Sequence, residues 1–218
     1  ADPLASLRCA AEAEQQRALA EERLRSETAA RQESERQKTL AEKERTRAQT
    51  AEKSAQTEAQ ISQAVNYFLQ DDLLRQADSR VQASTSAKPN PDLTVREALD
   101  RAAGRVEERF RDRPLVEAGI RDAIGQAYMG LGVLDRAAQH FEGVRQLRNA
   151  ELGPEHASTL SAMHQLGGAY GKLQRLPEAA ALLEQTLALS QRTLGPDRPE
   201  TLNTMNSLAH VYWLQRRT

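Results

Sequence analysis

The feature that most constrains the fold is a nine-residue phrase that occurs twice. The segment "LGPEHASTL" (152–160) returns as "LGPDRPETL" (194–202), 42 residues later. At this offset an aliphatic residue and, four positions on, a tyrosine coincide three times: Ile124, Leu166 and Leu208, then Tyr128, Tyr170 and Tyr212. A fixed period of this length indicates one supersecondary unit used repeatedly.

Each part of the phrase predicts a local structure. Leu152 is expected to pack as the last core residue of a helix, Gly153 to take the left-handed conformation that ends it, and Pro154 to prevent its continuation. The small residue after each aliphatic position (Gly125, Gly167) lets a neighbouring helix approach closely, and the tyrosine covers the join. The sequence therefore predicts an all-α chain of stacked helical pairs.

Helix starts are also legible. "TVRE" at Thr94–Glu97 predicts a capping box, in which the threonine hydroxyl and the glutamate carboxylate each accept a backbone amide. Asp135 and Pro177 are expected to mark the starts of the second helices in two successive units. Residues 94–218 are thus predicted to hold a degenerate first unit, two full units and one half unit.

Residues 1–60 have a different character. They are dominated by Ala, Glu, Gln, Arg and Lys, and from Leu7 to Gln60 contain neither glycine nor proline. Strong helix formers and acidic–basic pairs three or four residues apart predict a long helical rod. The track of Ala41, Ala48, Ala51, Ala55 and Ala59 favours a coiled-coil seam, and a solvated single helix is the alternative.

Residues 61–93 are predicted to connect the rod to the repeats. Ile61, Val65, Phe68, Leu69 and Leu73 recur at helical spacing and form an apolar face. This face predicts that the segment docks onto, or enters, the folded part. The stretch from Ser79 to Leu93, rich in Ser and Pro, is predicted to be a loop.

The repeats resemble a known family. A small residue beside Leu, then Tyr, then Ala and Phe in the next helix is similar to the tetratricopeptide pattern, and the long period with "LGP(E/D)" resembles kinesin light chains. The similarity covers about 114–215. It departs from the pattern at Ala157, where Pro199 stands in the next unit, and at Arg121, where Met163 and Met205 are expected to pack.

The order of the parts resembles a bacterial architecture. A charged rod, then "AVNYFLQDDLL", then long tetratricopeptide repeats is similar to the region that follows the kinase domain and transmembrane helix in large bacterial serine/threonine protein kinases. The sequence itself contains no glycine-rich kinase loop, "HRD" or "DFG". The resemblance implies a docking or sensory region of a larger, membrane-anchored protein, and the compartment stays open.

No motif predicts catalysis in this chain. "GGAYGKL" (167–173) falls one residue short of a phosphate loop and no hydroxyl follows its lysine. The four histidines (His140, His156, His164 and His210) never stand at ligand spacing and are predicted to be surface or groove residues, so no metal or cofactor is expected. With 30 basic and 31 acidic residues, no global charge attracts nucleic acid. No apolar run is long enough to span a membrane.

What remains is a binding surface. The resemblance to tetratricopeptide repeats implies that the first helix of each unit lines a concave groove that accepts a peptide or partner protein. The positions that would face this groove are Asp122, Gln126, Ser161, His164, Gln165, Gly168, Asn203, Asn206 and His210. The prediction is a non-catalytic interaction scaffold; a structural dimerisation rod with the repeats as a passive spacer is the alternative.

The last unit stops after its first helix. Leu208, Val211 and Tyr212 are therefore expected to form an exposed apolar face that a neighbouring molecule covers, unless the helix frays. Homodimerisation is predicted to run through the rod or through this face.

Overall fold

The computed structural model describes residues 3–73 and 93–216, with side chains from residue 14 onward except those of 72 and 73. The described chain is helical and contains no strand, which confirms the predicted all-α class. The helices, in chain order, are α1 (Pro3–Tyr67), a π-helical segment (Phe68–Leu73), α2 (Val95–Ala103), α3 (Val106–Phe110), α4 (Pro114–Gly130), α5 (Leu134–Leu152), α6 (Ala157–Lys172), α7 (Leu176–Thr193) and α8 (Pro199–Gln215).

The chain divides into two compact units, Ala1–Gln56 and Thr57–Thr218. In the first unit every described side chain is exposed. Acidic and basic side chains pair along the helix, as in Glu21 with Arg25 at 4.0 Å. Threonine hydroxyls such as that of Thr46 donate to the carbonyl oxygen four residues earlier at 2.9 Å. Local interactions therefore account for the helix in this unit, and pairing into a coiled coil stays a prediction.

The second unit begins with the last turns of α1. Phe68 is 1% exposed and lies in the main core, against which Ile61 and Val65 also pack. A methyl group added at Gly119 of α4 would overlap Ile61 Cγ2, so the absence of a side chain there permits this contact. The prediction for Leu69 was wrong, because its side chain is 38% exposed. The predicted loop lies, apart from Leu93, outside the described residues.

The first helix after the gap carries the predicted capping box. The Thr94 hydroxyl accepts the amide of Glu97 at 3.2 Å, and the Glu97 carboxylate accepts the amide of Thr94 at 2.9 Å. The bond from the Thr94 amide, and then the one that the Thr94 hydroxyl donates to the same carboxylate at 3.1 Å, hold the pKa of Glu97 below its usual value. The cap fixes the start of α2, whose Leu99 is 1% exposed in the main core.

The turns repeat at the 42-residue offset. Between the two helices of a unit, the residue that adopts positive φ is Gly132 (72°) and then Gln174 (60°). Between units, Gly153 (86°) and Gly195 (108°) adopt positive φ, as the "LGP" phrase predicts. The second helices begin at Leu134 and Leu176, so Asp135 and Pro177 each occupy the second helical position. Asp135 therefore lies in the first turn and is not the capping residue.

The helix contacts repeat as well. A methyl group added at Gly125 would lie 2.7 Å from Phe141 Cε1, and one added at Gly167 would lie 2.7 Å from Leu183 Cγ. Phe141 and Leu183 are equivalent positions on the second helices, so glycine is required at the same crossing in both units. This close approach is what packs α4 onto α5 and α6 onto α7.

The prediction for the last helix was wrong in part. Leu208 and Val211 are 8% and 2% exposed because they face α7 and share a core cluster with Leu183 and other residues of that helix. Tyr212 is 43% exposed. The opposite side of α8 carries the exposed large side chains: Leu202, Met205 and Trp213. Met205 therefore does not pack as Met163 does.

Candidate partner-binding groove

The first helices are held in position by tyrosines at equivalent places. Tyr128 of α4 donates to Asp100 Oδ1 of α2 at 2.6 Å, and Tyr212 of α8 donates to Glu184 Oε1 of α7 at 2.5 Å. In each case the carboxylate lies 28 residues before the tyrosine. Burial, and then the bond to Asp100, raise the pKa of Tyr128. The same bond therefore ties a first helix to the preceding second helix at two joints.

The middle joint differs. Its equivalent carboxylate, Glu142, accepts Arg145 Nε at 2.8 Å and Nη2 at 2.6 Å, together with Gln146 Nε2 at 2.7 Å. The bond to Arg145 is the main cause of the lowered pKa of Glu142. Tyr170 instead lies beneath Arg175, whose guanidinium carbon is 4.2 Å from the ring centroid. At this joint the tyrosine ring contacts a guanidinium, and the equivalent carboxylate is bonded to Arg145 and Gln146.

The predicted groove residues of α4 are engaged within the protein. Asp122 Oδ2 accepts Arg148 Nη2 at 2.8 Å, and both side chains are 15% exposed. Arg148 Nη1 also donates to the Ser158 carbonyl at 3.2 Å, so this guanidinium links α4, α5 and α6. Gln126 Nε2 donates to Asp122 Oδ1 at 3.0 Å. These polar groups hold the helices together at this end of the surface.

Two of the predicted groove residues on α6 are partly buried. His164 Nδ1 lies 3.3 Å from Thr204 Oγ1, which joins α6 to α8, and burial lowers the pKa of its imidazole. Gln165 is half-buried, and its Oε1 is buried without a hydrogen-bond partner. Ser161 is exposed, one turn before them. Gly168 is half-buried, and a methyl group added there would meet nothing within 4 Å.

The predicted residues of α8 are all exposed. The side chains of Asn203 and Asn206 form no hydrogen bond with another described residue. The ring of His210 stacks on that of Trp213, with the ring centroids 6.0 Å apart. An amide side chain offers both a donor and an acceptor to a bound peptide backbone. The polar groups that are available to a partner therefore concentrate on α8.

A cavity of about 710 Å³ lies between α6 and α8. Three of the predicted residues line it: Gly168, Asn206 and His210. The remaining lining residues are Leu134, Gly171, Lys172, Gln174, Leu183, Ser207, Val211 and Leu214. The structure thus brings together three of the seven predicted positions on α6 and α8. The other predicted positions do not line this cavity: Asp122, Gln126, Ser161, His164, Gln165 and Asn203.

Lys172 and Gly171 were not predicted to be groove residues. Lys172 ends α6 and Gly171 precedes it, so both sit one helical turn beyond Gly168 on the side that opens to the cavity. That spacing was a usable signal, because residues three and four apart share a face of a helix. The leucines and the valine of the cavity carry no signal of their own, since apolar residues at helical spacing are expected in any core.

His140 corrects the prediction that the histidines are surface or groove residues. It is 7% exposed, stacks on Tyr128 with centroids 5.6 Å apart, and its Nδ1 is buried without a hydrogen-bond partner. Burial, then the positive charges of Arg121 and Arg136, lower the pKa of His140 to about 4. Arg121 itself is held by Glu117 at 2.6 Å and by Glu107 at 3.3 Å. His140 is therefore a neutral core residue.

Comparison with known proteins agrees with this geometry. Residues 117–191 and 158–218 each match a family model described as tetratricopeptide repeat. Residues 117–218 are tetratricopeptide repeats. No curated protein matches the chain in sequence. Tetratricopeptide folds are typically non-catalytic interaction modules.

Several solved structures are similar to the chain. Two crystal structures of nearly identical TPR-like repeats from Podosopora anserina, described as those of a kinesin light chain, share 23% identity with it. They cover 74% of this chain with 87% and 88% of theirs, at TM-scores of 0.44 and 0.43. BtubC (BKLC) from P. vanneervenii shares 17% identity over 73% of this chain and 66% of its own, with a TM-score of 0.48.

Two features are absent from the residues that the structure describes. Among them no helix is long and apolar enough to cross a bilayer. In the same part of the chain, no three histidine, cysteine or acidic side chains are grouped closely enough to hold a metal ion.

Proposed function

We propose that this chain is a protein-interaction scaffold that binds an extended segment of a partner protein on the exposed side of α6 and α8. The observation that carries the proposal is the cavity between these helices, which unites apolar walls with the exposed Asn206 and His210. A mostly apolar concavity with a few polar groups at its edge is the usual form of a binding site.

The polar residues differ in whether their side chains are already hydrogen-bonded within the protein, and this difference supports the same surface. Asp122 and Gln126 are bonded to each other, and Asp122 also to Arg148, so a partner would have to break these contacts to use them. Asn203 and Asn206 have no such competition. An exposed amide loses little on exchanging water for a peptide group, and it selects a backbone by direction and spacing.

The test is selection of binders to the full chain from a phage-displayed library of random dodecapeptides. For a selected peptide, we expect the double substitution Asn203→Ala and Asn206→Ala to weaken binding about tenfold or more, equivalent to about 1.4 kcal/mol. Asn149→Ala is the matched control, because this asparagine is exposed on the second helix α5. Equal affinity of the double variant and the control would reject the proposed surface.

We further propose that the scaffold is the non-catalytic docking or sensory region of a larger protein such as a bacterial serine/threonine kinase. The support is the order of the parts: a charged helix, an apolar connecting segment and long repeats. The test is the coding sequence on both sides of this chain. A kinase domain upstream, followed by a membrane-spanning segment, is the expected result, and an upstream region without one would reject this part of the proposal.

A structural function is the second candidate, favoured by the exposed Leu19, Leu24 and Leu40 of α1. In this function the rod, or the exposed side of α8, pairs two copies of the chain. Sedimentation velocity across micromolar concentrations separates the candidates. A dimer that persists after Met205→Ser and Trp213→Ser but is lost after Leu24→Ser and Leu40→Ser assigns the pairing to the rod, and a monomer throughout excludes the structural function.

A further inference from the structure

Gly168, like Gly130, is a helical glycine that the packing around it does not require, and of the two only Gly168 lines the cavity. Gly125 and Gly167 admit Phe141 and Leu183, and a methyl group at Gly171 would touch Val211 Cγ2 at 3.4 Å. A methyl group at Gly168 would meet nothing within 4 Å, and its backbone is ordinary α-helix.

A glycine inside a helix is unfavourable, because it loses more conformational freedom on folding than any other residue. α6 carries this disadvantage at Gly168 without a compensating contact inside the protein. The equivalent positions in the neighbouring first helices are Gln126 and His210, both of which project side chains. A glycine in an otherwise filled row opens space at one point only.

The space that it opens belongs to the cavity. Gly168 forms part of the wall, and the accessible apolar lining comes chiefly from the half-buried Leu134 and Leu214, since Leu183 and Val211 are 0% and 2% exposed. Among the lining residues Lys172 is the one with a permanent positive charge, and none is acidic. Lys172 is exposed, and no described carboxylate pairs with it. A positively charged group in the cavity would therefore be repelled.

We infer that Gly168 is a specificity-determining residue: it keeps the cavity between α6 and α8 open for one large apolar side chain of a partner segment that carries no positive charge beside that side chain. This inference rests on the proposed function, and names the part of the partner that the surface selects. The partner's main chain crosses α6 at Gly168, where the missing side chain allows it to come close.

The test uses peptides selected on the full chain from the dodecapeptide library. We expect them to share a large apolar residue, and to lack Lys and Arg next to it. Gly168→Leu should fill the cavity and weaken binding at least tenfold, and Gly168→Ala should have a smaller effect in the same direction. Gly130→Leu is the matched control, since Gly130 also has nothing within 4 Å and does not line the cavity.

A double-mutant cycle identifies the contact. Replacing the shared apolar residue of the peptide by Ser should weaken binding to the unmodified protein tenfold, but change binding to Gly168→Leu less than twofold, because the two changes remove the same interaction. Thermal unfolding of both leucine variants excludes a general loss of structure, and Gly168→Ala, which we expect to melt no lower than the unmodified protein, repeats the measurement in an intact fold.

Two outcomes would overturn the inference, and they can be told apart. In the first outcome, peptides bind Gly168→Leu normally but lose affinity for the Asn203→Ala and Asn206→Ala double variant. The proposed function would then stand, but the cavity at Gly168 would not hold an apolar side chain of the partner. A library that yields no peptide for the unmodified chain would reject the proposed function and the inference together.

Discussion

The two units of the chain are both helical for opposite reasons. In residues 14–56 every side chain is exposed, including Leu19, Leu24 and Leu40, which are each more than half exposed. In residues 57–73 and 93–216 the helices are interrupted by glycines and prolines, yet most of the large apolar side chains that the structure describes there are buried or half-buried. The first unit follows from intrinsic helix propensity and local pairs; the second follows from packing.

The difference teaches where a substitution can matter. A helix that depends on propensity responds to a change by tenths of a kcal/mol at a time, distributed along its length. A packed helix responds through a few positions at which neighbours meet, and there a single change costs several kcal/mol. The following predictions test this contrast, beginning with the largest effect.

Truncation of a core side chain should separate the units most clearly. Phe68→Ala removes a side chain that is 1% exposed and should destabilise the repeat unit by about 3–5 kcal/mol. Leu40→Ala should change stability by less than about 0.5 kcal/mol, because its side chain is exposed. Urea denaturation followed by circular dichroism measures both. A cost above about 1 kcal/mol for Leu40→Ala that grows with protein concentration would contradict the exposed rod and indicate pairing.

Acid should weaken the repeat unit through His140. Its pKa is about 4 in the folded chain and about 6.5 when unfolded. Between these values the unfolded chain binds the extra proton, so stability falls as the pH is lowered from about 6.5 to about 4, by up to about 3 kcal/mol. His140→Leu, which copies the equivalent Leu182, should remove this part of the pH dependence.

The measurement compares urea unfolding of the two proteins at pH 7.0 and pH 4.5. Carboxylates with lowered pKa values, such as Glu97 and Glu142, contribute a loss at low pH in both proteins and cancel in the difference. An identical pH dependence for the variant would show that His140 is not the group that titrates.

Removal of the tyrosine hydroxyls should distinguish a buried joint from an exposed one. Tyr128→Phe leaves Asp100 without its bond at a ring that is 1% exposed, and should cost about 1–2 kcal/mol. Tyr212→Phe removes the equivalent bond to Glu184 at a ring that is 43% exposed, where water replaces it, and should cost less than about 0.5 kcal/mol. Equal losses on thermal unfolding would argue against burial as the deciding factor.

The smallest effects should come from helix propensity alone, and they should be similar in both units. Ala48→Gly in the rod should lower local helix stability by up to about 1 kcal/mol, and Gly168→Ala in α6 should raise that of the repeat unit by up to the same amount. Hydrogen exchange of the flanking amides measures each. If Gly168→Ala were destabilising, the added methyl group would have to clash with a neighbour. That result would contradict the absence of any atom within 4 Å of its position.

Much of this fold could be predicted from the sequence because the residues that recur at the 42-residue period determine helix ends and helix crossings locally. Gly153 and Gly195 end helices through their own backbone conformation. Thr94 and Glu97, three residues apart, cap α2. Gly125 and Gly167 indicate where two helices cross closely. Each of these signals depends on the residue and its near neighbours, so one sequence suffices to read it.

The groove could be predicted only in outline, because availability depends on residues that are distant in sequence. Asp122 satisfies the pattern of a groove residue, but Arg148, 26 residues later, occupies its carboxylate. His140 is a polar residue by type, yet it is buried and stacks on Tyr128, and a leucine replaces it in the next unit. Leu208 and Val211 are buried by the helix that precedes them rather than by one that follows.

The tyrosine bonds also define which piece of the chain can be exchanged intact. Asp100 and Tyr128 belong to different repeat units, and so do Glu184 and Tyr212. Each of these two hydrogen bonds therefore crosses a boundary between units. A cassette cut at the "LGP" corners would separate Glu184 from Tyr212, whereas one cut at Gly132 and Gln174 would leave both couples intact and carry a second helix together with the first helix that follows it. Chimaeras assembled from such repeats should therefore be joined inside a unit, at the turn with positive φ between its two helices.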